Sequence, residues 1–304
     1  MIDRDAILAA ADGEVRFDEP LAAHTTFRIG GPVDALCWPT GVDGVQRLCA
    51  LAHARGWPCH VLGQGSNLVV RDGGVRGLLV ATGRLRRLER DGERGVRCEA
   101  GVLTTKLLHE AATWELAGVE FLAGIPGTVG GALVMNAGTT LGEMKDVTVE
   151  VTSVAANGEL QVRDAGACGF RYRGSLLGDG VVVATRLQLH PEPRAAIEAR
   201  VAEQRARRQG REPKGVPSAG STFKNPPGAF AGRLIEQAGL KGRRLGGAEV
   251  SWVHANWIVN RADATAVDVE GLMRICQEAV KAKFGVTLEP ELHVIGEAAG
   301  EEAE

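Results

Sequence analysis

The sequence is poor in aromatic residues, lacks long hydrophobic runs and carries little net charge. Aromatic residues make up 4% of the 304 positions, with a single tyrosine. The basic stretch 205–211 therefore has no stacking platform beside it, which disfavours nucleic-acid binding through base stacking. A formal net charge of -3 gives no global attraction toward a polyanion or an anionic membrane. Since no segment approaches ~20 consecutive apolar residues, we expect no membrane insertion.

The cysteines and histidines lack the spacing of a metal site or a disulfide framework. The six cysteines are scattered without a CxxC pair, and the histidines are not at ligand spacing. The N-terminal stretch MIDRDAILAAADGE has early acidic residues and only a short apolar segment, unlike a secretory signal. We therefore expect a cytoplasmic protein with reduced thiols. The length, with 44% hydrophobic and 24% charged residues, predicts a globular protein of two or three domains.

Apolar periodicity predicts two helices in the first half of the chain. The first lies near 43–55 and ends at Gly56, whereas the second lies near 105–117. Thr104 is a plausible N-cap of the second helix, and Gly118 follows its end. The 41 glycines separate short β-branched runs, which predicts short strands joined by tight turns.

Alternating apolar residues predict antiparallel strands in the middle of the chain. Apolar and polar residues alternate at 147–151 and again at 181–189. Asn157-Gly158 lies before a further alternating pair, which indicates a hairpin. An all-parallel, doubly wound sheet is therefore disfavoured.

The composition changes near residue 193, which predicts a domain boundary. A charged helical stretch there leads into a segment rich in Gly, Pro and Ser that ends near residue 220. Beyond it we expect a short helix near 229–238 and a strand at 257–260. The clearest helix of the chain is predicted at 266–284, with Gly285 at its end.

Two glycine-rich runs are candidates for phosphate binding. The stretch GIPGTVGGALVMNAG at 124–138 removes side chains where backbone N–H groups could converge on phosphate oxygens, and GQGSN at 63–67 repeats this chemistry. Neither run fits a Rossmann fingerprint or a P-loop. A role in tight turns remains the alternative for each run alone, but two such runs beside short strands favour a cofactor.

Three further segments carry polar groups that could act on a substrate. GFRYRGS holds Tyr172 and Arg173, SAGSTFKNP holds Ser221, and LEPELHVIGE holds Glu291. Arginine offers a planar fork for a carboxylate or phosphate. No GxSxG elbow surrounds Ser221, so a hydrolase nucleophile is disfavoured. For each segment alone, a solvated strand end or an ordinary turn remains the alternative.

In their order along the chain, seven stretches from about 24 to 297 resemble the UDP-N-acetylenolpyruvoylglucosamine reductase family in its shorter, type II form. They are TTFRIGGP, LGQGSNLVVRDGG, GIPGTVGGALVMNAG, FRYRGS, SAGSTFKNP, HANWIVN and PELHVIGE. The resemblance implies an α+β protein with the FAD-binding fold of the p-cresol methylhydroxylase and vanillyl-alcohol oxidase type. It assigns 1–192 to an FAD-binding region with subdomains at about 1–83 and 84–192. A C-terminal α+β substrate domain would occupy 193–304, its last strand returning to the active site.

The resemblance also implies a reaction and a set of site residues. Non-covalent FAD and NADPH as co-substrate would reduce UDP-N-acetylglucosamine enolpyruvate to UDP-N-acetylmuramate in peptidoglycan synthesis. Arg173, Ser221 and Glu291 would be catalytic, with Ser221 as proton donor. Tyr172, Lys224 and Asn225 would contact the substrate. FAD would be held by Arg28, Gly63, Gly65, Ser66, Asn67, Leu68, Gly124, Ile125, Pro126, Gly127, Gly130, Gly131, Asn136, Ala137 and Gly138.

The sequence leaves two other functions open. One is an FAD-dependent oxidase of the same fold acting on another small molecule. The other is a non-catalytic module for nucleotide sugars or RNA, against which the presence of Arg173, Ser221 and Glu291 together argues. His293 stands where the family often has arginine after the catalytic glutamate. We take a monomer as the working expectation, although the sequence determines neither the oligomeric state nor the preference for NADPH over NADH.

Overall fold

The computed structural model describes residues 2–300 and mixes helices with strands, as the predicted α+β class requires. The helices are α1 (Arg4–Ala10), α2 (Val42–Arg55), α3 (Thr104–Thr113), α4 (Val129–Val134), α5 (Arg194–Arg208), α6 (Ala231–Gln237) and α7 (Ala266–Phe284). The strands are β1 (Glu14–Pro20), β2 (Pro32–Trp38), β3 (Cys59–Leu62), β4 (Leu68–Val70), β5 (Val75–Ala81), β6 (Leu88–Asp91), β7 (Gly95–Glu99), β8 (Leu116–Ala117), β9 (Gly138–Thr139), β10 (Gly142–Glu143), β11 (Thr148–Val154), β12 (Leu160–Asp164), β13 (Val181–Gln188), β14 (His190–Pro191), β15 (Arg244–Leu245), β16 (Ala248–Val250), β17 (Ile258–Asn260) and β18 (His293–Ile295). Within residues 2–300, no helix is both long and apolar enough to cross a membrane.

The largest sheet is antiparallel, and its central hairpin confirms the predicted pairing. Its strand order is β12-β11-β13-β7-β6. Val151 of β11 pairs with Arg163 of β12 on one side and with Thr185 of β13 on the other. The turn between β11 and β12 contains Gly158, whose φ of 87° lies in the left-handed region that glycine tolerates. A four-stranded sheet has the order β1-β2-β5-β3, in which β3 and β5 are parallel, so the chain contains parallel as well as antiparallel strand pairs.

Two predicted helix ends are confirmed because both are set by local chemistry. Helix α2 ends at Gly56, and α7 ends at Gly285, each with a left-handed backbone. Helix α7 also begins with a capping box, in which the Thr265 side chain accepts from the N–H of Asp268 and the Asp268 carboxylate accepts from that of Thr265. The predicted short helix α6 and strand β17 also lie where the sequence places them.

The predicted start of α3 near 105 is confirmed to within one residue, whereas its N-cap and its end were wrong. Thr104 is the first helical residue and Leu103 is the N-cap, because Leu103 has an extended backbone and its carbonyl accepts from the N–H of Leu107. The Thr104 hydroxyl donates to the carbonyl of Ile125 at 2.7 Å. The helix ends at Thr113 instead of near 117. Glu115 then takes a left-handed φ of 57°, and the chain continues as β8, which pairs with β14. Tertiary contacts therefore override the helical periodicity here.

The described chain divides into two compact units. The first unit comprises 2–17, Ala35–Gln64 and Gly77–Arg208. The second comprises Asp18–Asp34, Gly65–Arg76 and 209–300. The chain thus passes between the units inside the GQGSN stretch, and again inside the stretch rich in Gly, Pro and Ser after α5.

The first unit has two hydrophobic clusters. One packs α2 on its neighbouring strands and includes Ile7, Leu48 and Leu78, all fully buried. The other surrounds α3 and α4 and includes Leu107 and Leu133. This second cluster lies under the 124–138 run, so the glycine-rich stretch rests on a packed base.

The second unit has one hydrophobic cluster, built around α7. Val269, Leu272 and Cys276 on its buried face pack with Phe27 and Phe223. Ser221 lies between two buried members of this cluster, Ala219 and Phe223, and Glu291 precedes a third, Leu292. All six cysteines of the chain are free thiols and five are buried, and burial raises the pKa of Cys276 to about 12.

Candidate active site

The structure distributes the predicted site residues over both units. The first unit holds Gly63, the 124–138 run, Tyr172 and Arg173. The second unit holds the remaining predicted residues, namely Arg28, Gly65, Ser66, Asn67, Leu68, Ser221, Lys224, Asn225 and Glu291. Each unit has its own set of contacts around these residues.

In the first unit, the 124–138 run is a turn followed by the short helix α4. Gly124 and Gly127 have φ of 83° and 134°, which side chains rarely adopt. Thr128 caps α4, its hydroxyl accepting from the N–H of Gly131 at 3.4 Å. The Gly127 carbonyl accepts from the N–H of Thr104 at 3.1 Å, which ties the turn to the start of α3.

Several backbone N–H groups of this turn are available to a ligand. Among residues 2–300, no protein acceptor is hydrogen-bonded to the N–H of Gly124, Gly127 or Thr128. The N–H groups of Gly127 and Thr128 are consecutive, and consecutive unpaired N–H groups can form a concave site for anions. The turn therefore fits the pyrophosphate of the predicted FAD on the basis of its donors.

The two glycine-rich runs approach each other at Gly63. A Cβ atom on Gly63 would lie 2.7 Å from the hydroxyl oxygen of Thr128. A Cβ on Gly130 would likewise lie 2.8 Å from that of Ala100. These positions exclude side chains by close approach, so the glycines have a steric reason beyond turn formation.

A tight turn at 171–174 presents Arg173. The N–H of Arg171 donates to the Gly174 carbonyl at 2.9 Å, and the N–H of Gly174 donates to the Arg171 carbonyl at 3.2 Å. Arg173 has a left-handed φ of 54°, and its guanidinium donates to the Gly138 carbonyl at 3.0 Å. The guanidinium also lies over the Tyr172 ring, 5.0 Å from its centre. Arg173 is thus held against the end of the 124–138 run.

In the second unit, the segments of Ser221 and Glu291 are paired through their backbones. The N–H of Glu291 donates to the Thr222 carbonyl at 2.8 Å, and the N–H of Lys224 donates to the Glu289 carbonyl at 2.9 Å. Two predicted catalytic residues therefore lie on adjacent antiparallel segments. Among the described residues, no protein group is hydrogen-bonded to the Ser221 hydroxyl.

The buried carboxamide of Asn256 holds the serine segment from its other side. Its Oδ1 accepts from the N–H of Phe223 at 3.0 Å, and its Nδ2 donates to the Phe223 carbonyl at 2.8 Å. The N–H of Thr222 donates to the Asn256 carbonyl at 2.7 Å. Asn256 had no predicted role, although it lies in the HANWIVN stretch. Its place in that stretch is the sequence signal that could have indicated a role for Asn256.

Asn67 and Asn225 use their side chains within the second unit. Nδ2 of Asn67 donates to the Glu291 carbonyl at 3.0 Å, and the Asn67 carbonyl accepts from the N–H of His293 at 3.0 Å. Oδ1 of Asn225 accepts from the N–H of Ala231 at 3.0 Å, where α6 begins. The structure therefore joins Asn67 to Glu291 and pairs Glu291 with Thr222, the neighbour of Ser221, whereas the amide oxygen of Asn225 accepts from the first residue of α6.

The comparisons with known proteins agree on one family. The family model for the UDP-N-acetylenolpyruvoylglucosamine reductase C-terminal domain matches 212–295, and the model of an FAD-binding domain matches 33–163. UDP-N-acetylenolpyruvoylglucosamine reductase of Moorella thermoacetica is 46% identical over 285 residues, which cover 93% of this chain and 94% of the relative. The reductase 2 of Symbiobacterium thermophilum is 45% identical and covers 97% of each chain.

Solved structures support the same fold. UDP-N-acetylenolpyruvylglucosamine reductase from Thermus caldophilus superposes with a TM-score of 0.79 at 39% identity, over 93% of this chain and 98% of that one. The protein BBE-like 1 of Physcomitrella patens has a TM-score of 0.51 at 20% identity, over 62% of this chain and 45% of that one. The second likeness concerns the fold alone. Together with the FAD-binding model, these structures confirm the predicted fold class.

The close approach at Gly63 predicts that Gly63→Ala weakens FAD binding. The new methyl group would push the Thr128 side chain away and disturb the cap of α4, so we expect the FAD dissociation constant to rise by roughly 10-fold, about 1.4 kcal/mol. Fluorescence titration of the apoprotein with FAD measures this change. Gly178→Ala is the control, because a Cβ there meets no atom within 4 Å. Equal affinities for the wild type and Gly63→Ala would refute the steric argument.

The lowered pKa of His254 predicts that the folded protein loses stability in mild acid. Burial lowers the pKa of His254, as does the nearby charge of Lys241, whereas Glu212 and Glu236 act in the opposite direction. Its Nδ1 accepts from the N–H of Asn256 at 3.2 Å, which also favours the neutral ring.

The pKa of His254 is lower in the folded state than in the unfolded state, where it is about 6.5. The contribution of neutral His254 to folding stability is therefore complete above about pH 6.5 and is lost as the pH falls through the folded pKa. We expect the melting temperature to fall between pH 7.5 and 5.5, and His254→Gln to make that slope shallower. His53→Gln, at an exposed position of α2, is the control. An unchanged slope in His254→Gln would contradict this assignment.

Relatives named UDP-N-acetylenolpyruvoylglucosamine reductase align with nearly the whole chain. The match to the FAD-binding domain precedes the match to the C-terminal domain of that reductase. The stretches that carry the sequence resemblance lie within these matches. The chain therefore belongs to the UDP-N-acetylenolpyruvoylglucosamine reductase family of FAD-dependent oxidoreductases.

Proposed function

We propose that the chain uses NADPH and FAD to reduce UDP-N-acetylglucosamine enolpyruvate to UDP-N-acetylmuramate in peptidoglycan synthesis. The observation that carries the proposal is the pairing of the Ser221 segment with the Glu291 segment through the Glu291 N–H and the Thr222 carbonyl. A reduction of a carbon–carbon double bond needs a proton donor near a group that stabilises the enolic form, and these two residues have that chemistry. The names of the relatives supply the substrate.

We assign FAD to the glycine-rich runs and the segments next to them. The free backbone donors of the 124–138 turn and the steric exclusion at Gly63 support this assignment. Bound FAD would supply the hydride that it receives from NADPH. The loops assigned to FAD contain Arg28, Gly63, Gly65, Ser66, Asn67, Leu68, Gly124, Ile125, Pro126, Gly127, Gly130, Gly131, Asn136, Ala137 and Gly138. The N–H groups of Gly124 and Gly127, which are unpaired among the described residues, would bind the pyrophosphate, and the flavin is held non-covalently.

Arg173, Ser221 and Glu291 act on the enolpyruvyl group. As a hydride adds to one carbon of the double bond, negative charge moves onto the substrate carboxylate. Arg173 and Glu291 stabilise this enolic form, and one well-placed donor is worth on the order of 3 kcal/mol of barrier. Ser221 donates a proton to the adjacent carbon, since its hydroxyl has no competing partner among the described residues. The two transfers complete the reduction.

Tyr172, Lys224 and Asn225 are assigned to the substrate nucleotide. Lys224 Nζ lies 3.6 Å from a carboxylate oxygen of the exposed Glu289, a pair that a diphosphate can replace. We also propose the division into a FAD-binding region at 1–192 and a substrate domain at 193–304. The match of the FAD-binding model to 33–163 supports the first region, and the match of the C-terminal domain model to 212–295 supports the second. Within the first region we propose subdomains near 1–83 and 84–192. The enzyme is expected to act in the cytoplasm as a monomer.

The visible spectrum of the purified protein tests the function. The protein should be yellow, lose its flavin absorbance on anaerobic addition of NADPH, and recover it when UDP-N-acetylglucosamine enolpyruvate is added. Reoxidation by oxygen alone, with no response to the nucleotide sugar, would favour the oxidase of the same fold. A protein that cannot be reconstituted with FAD would eliminate both functions.

Ser221→Ala separates the two half-reactions. The proton donor acts only on the substrate, so flavin reduction by NADPH should stay within about twofold of the wild type, while reoxidation by the enolpyruvyl substrate slows by roughly 10²- to 10⁴-fold. Stopped-flow absorbance follows each half-reaction separately. Ser153→Ala, on a strand of the first unit, is a serine control outside the proposed site. Equal slowing of both half-reactions in Ser221→Ala would refute the role as proton donor.

A further inference from the structure

Asn136 is fully buried and has an unusual backbone conformation. Its exposed fraction is 0%, and its φ of 43° lies in the left-handed region. Asparagine tolerates this conformation better than most residues do, but it still carries a cost that surrounding contacts must offset. The position is therefore strongly determined by its neighbours.

The carboxamide of Asn136 is engaged at both ends by the protein. Nδ2 donates to Oε2 of Glu143 at 2.9 Å and to the Arg171 carbonyl at 3.1 Å. Oδ1 accepts from the N–H of Lys145 at 3.0 Å. Since an amide nitrogen has two hydrogens, both donors are used. The side chain thus has no donor left for a cofactor, although Asn136 belongs to a loop that we assign to FAD.

One of these hydrogen bonds reaches the base of the turn that presents Arg173. The Arg171 carbonyl also accepts from the N–H of Gly174, so the Asn136 amide is its second donor. The Arg173 guanidinium in turn donates to the Gly138 carbonyl, two residues after Asn136. The Asn136 side chain therefore holds the turn at Arg171, and the Gly138 carbonyl holds the Arg173 guanidinium.

We propose that Asn136 is a positioning residue for Arg173. Its Nδ2 fixes the 171–174 turn so that the guanidinium meets the substrate carboxylate in the orientation needed for the enolic form. This inference rests on the proposed function. It assigns the side chain a task in substrate reduction and leaves pyrophosphate binding to the backbone of the run.

Two substitutions separate the side chain from the backbone conformation. Asn136→Asp keeps the volume and the acceptor to Lys145 but loses both donors, and it places a carboxylate beside Glu143. Asn136→Gly keeps access to the left-handed conformation but removes the side chain. Asn157→Asp is the matched control, because Asn157 is exposed and its Oδ1 accepts only from the N–H of Glu159 among the described residues.

The decisive experiment is a double-mutant cycle with Arg173→Ala, measured on each half-reaction by stopped-flow absorbance. In the wild-type background, Asn136→Asp and Asn136→Gly should slow reoxidation by the enolpyruvyl substrate by about 10- to 100-fold, because small misplacements of a catalytic group have effects of that size. Flavin reduction by NADPH and the FAD dissociation constant should stay within about threefold. In the Arg173→Ala background, the same substitutions should add less than about threefold, since their target is absent.

Each other outcome overturns the inference in a recognisable way. Multiplicative effects in the cycle would mean that Asn136 acts independently of Arg173. Loss of FAD binding or of folding in both variants, judged by flavin fluorescence and circular dichroism, would make the residue a cofactor or stability element. If the wild-type flavin is not reoxidised by the enolpyruvyl substrate, the proposed function fails first and the inference falls with it.

Discussion

Buried backbone outside regular secondary structure must find hydrogen-bond partners elsewhere, and this requirement organises both units around their site segments. In the first unit, the partly exposed turn at 171–174 pairs its two ends with each other and is held from below by the fully buried Asn136. Asn136 and the Ser175 hydroxyl, which donates to the Val134 carbonyl at 2.8 Å, tie it to the run that ends at Gly138. In the second unit, the serine segment is paired with 289–291 and clamped by Asn256. In these segments, the side-chain amides of Asn136 and Asn256 make hydrogen bonds to the backbone that neighbouring strands or helical turns make elsewhere.

Holding site residues in this way carries a conformational cost. Arg28, Asn136 and Arg173 all have positive φ, and each such residue outside glycine costs on the order of 1–3 kcal/mol. The packed clusters beneath the site segments offset this cost. Both units therefore contain sparsely populated backbone conformations at residues assigned to the cofactor or the substrate, where precise orientation matters most.

Local chemistry made several elements predictable. The ends of α2 and α7 were correctly placed because a left-handed glycine terminates a helix whatever surrounds it. The β11–β12 hairpin followed from alternation and a turn that glycine permits. The predicted end of α3 was wrong because the chain turns at Glu115 into β8, which pairs with β14, a contact that no local pattern reveals. Asn256 was overlooked for the same reason, since its partner Phe223 is distant in sequence.

The sequence by itself determined the family, the fold class and the kinds of residue at the candidate site, because ordered motifs and glycine spacing reflect chemistry that each segment carries alone. Tertiary structure alone decided which segments are paired: Glu291 with Thr222, and Asn136 with Arg171. It also decided that Gly63 must lack a side chain because Thr128 lies against it. These contacts join residues far apart in the chain, and they are selected by core packing and by the need to satisfy buried backbone groups rather than by local propensity.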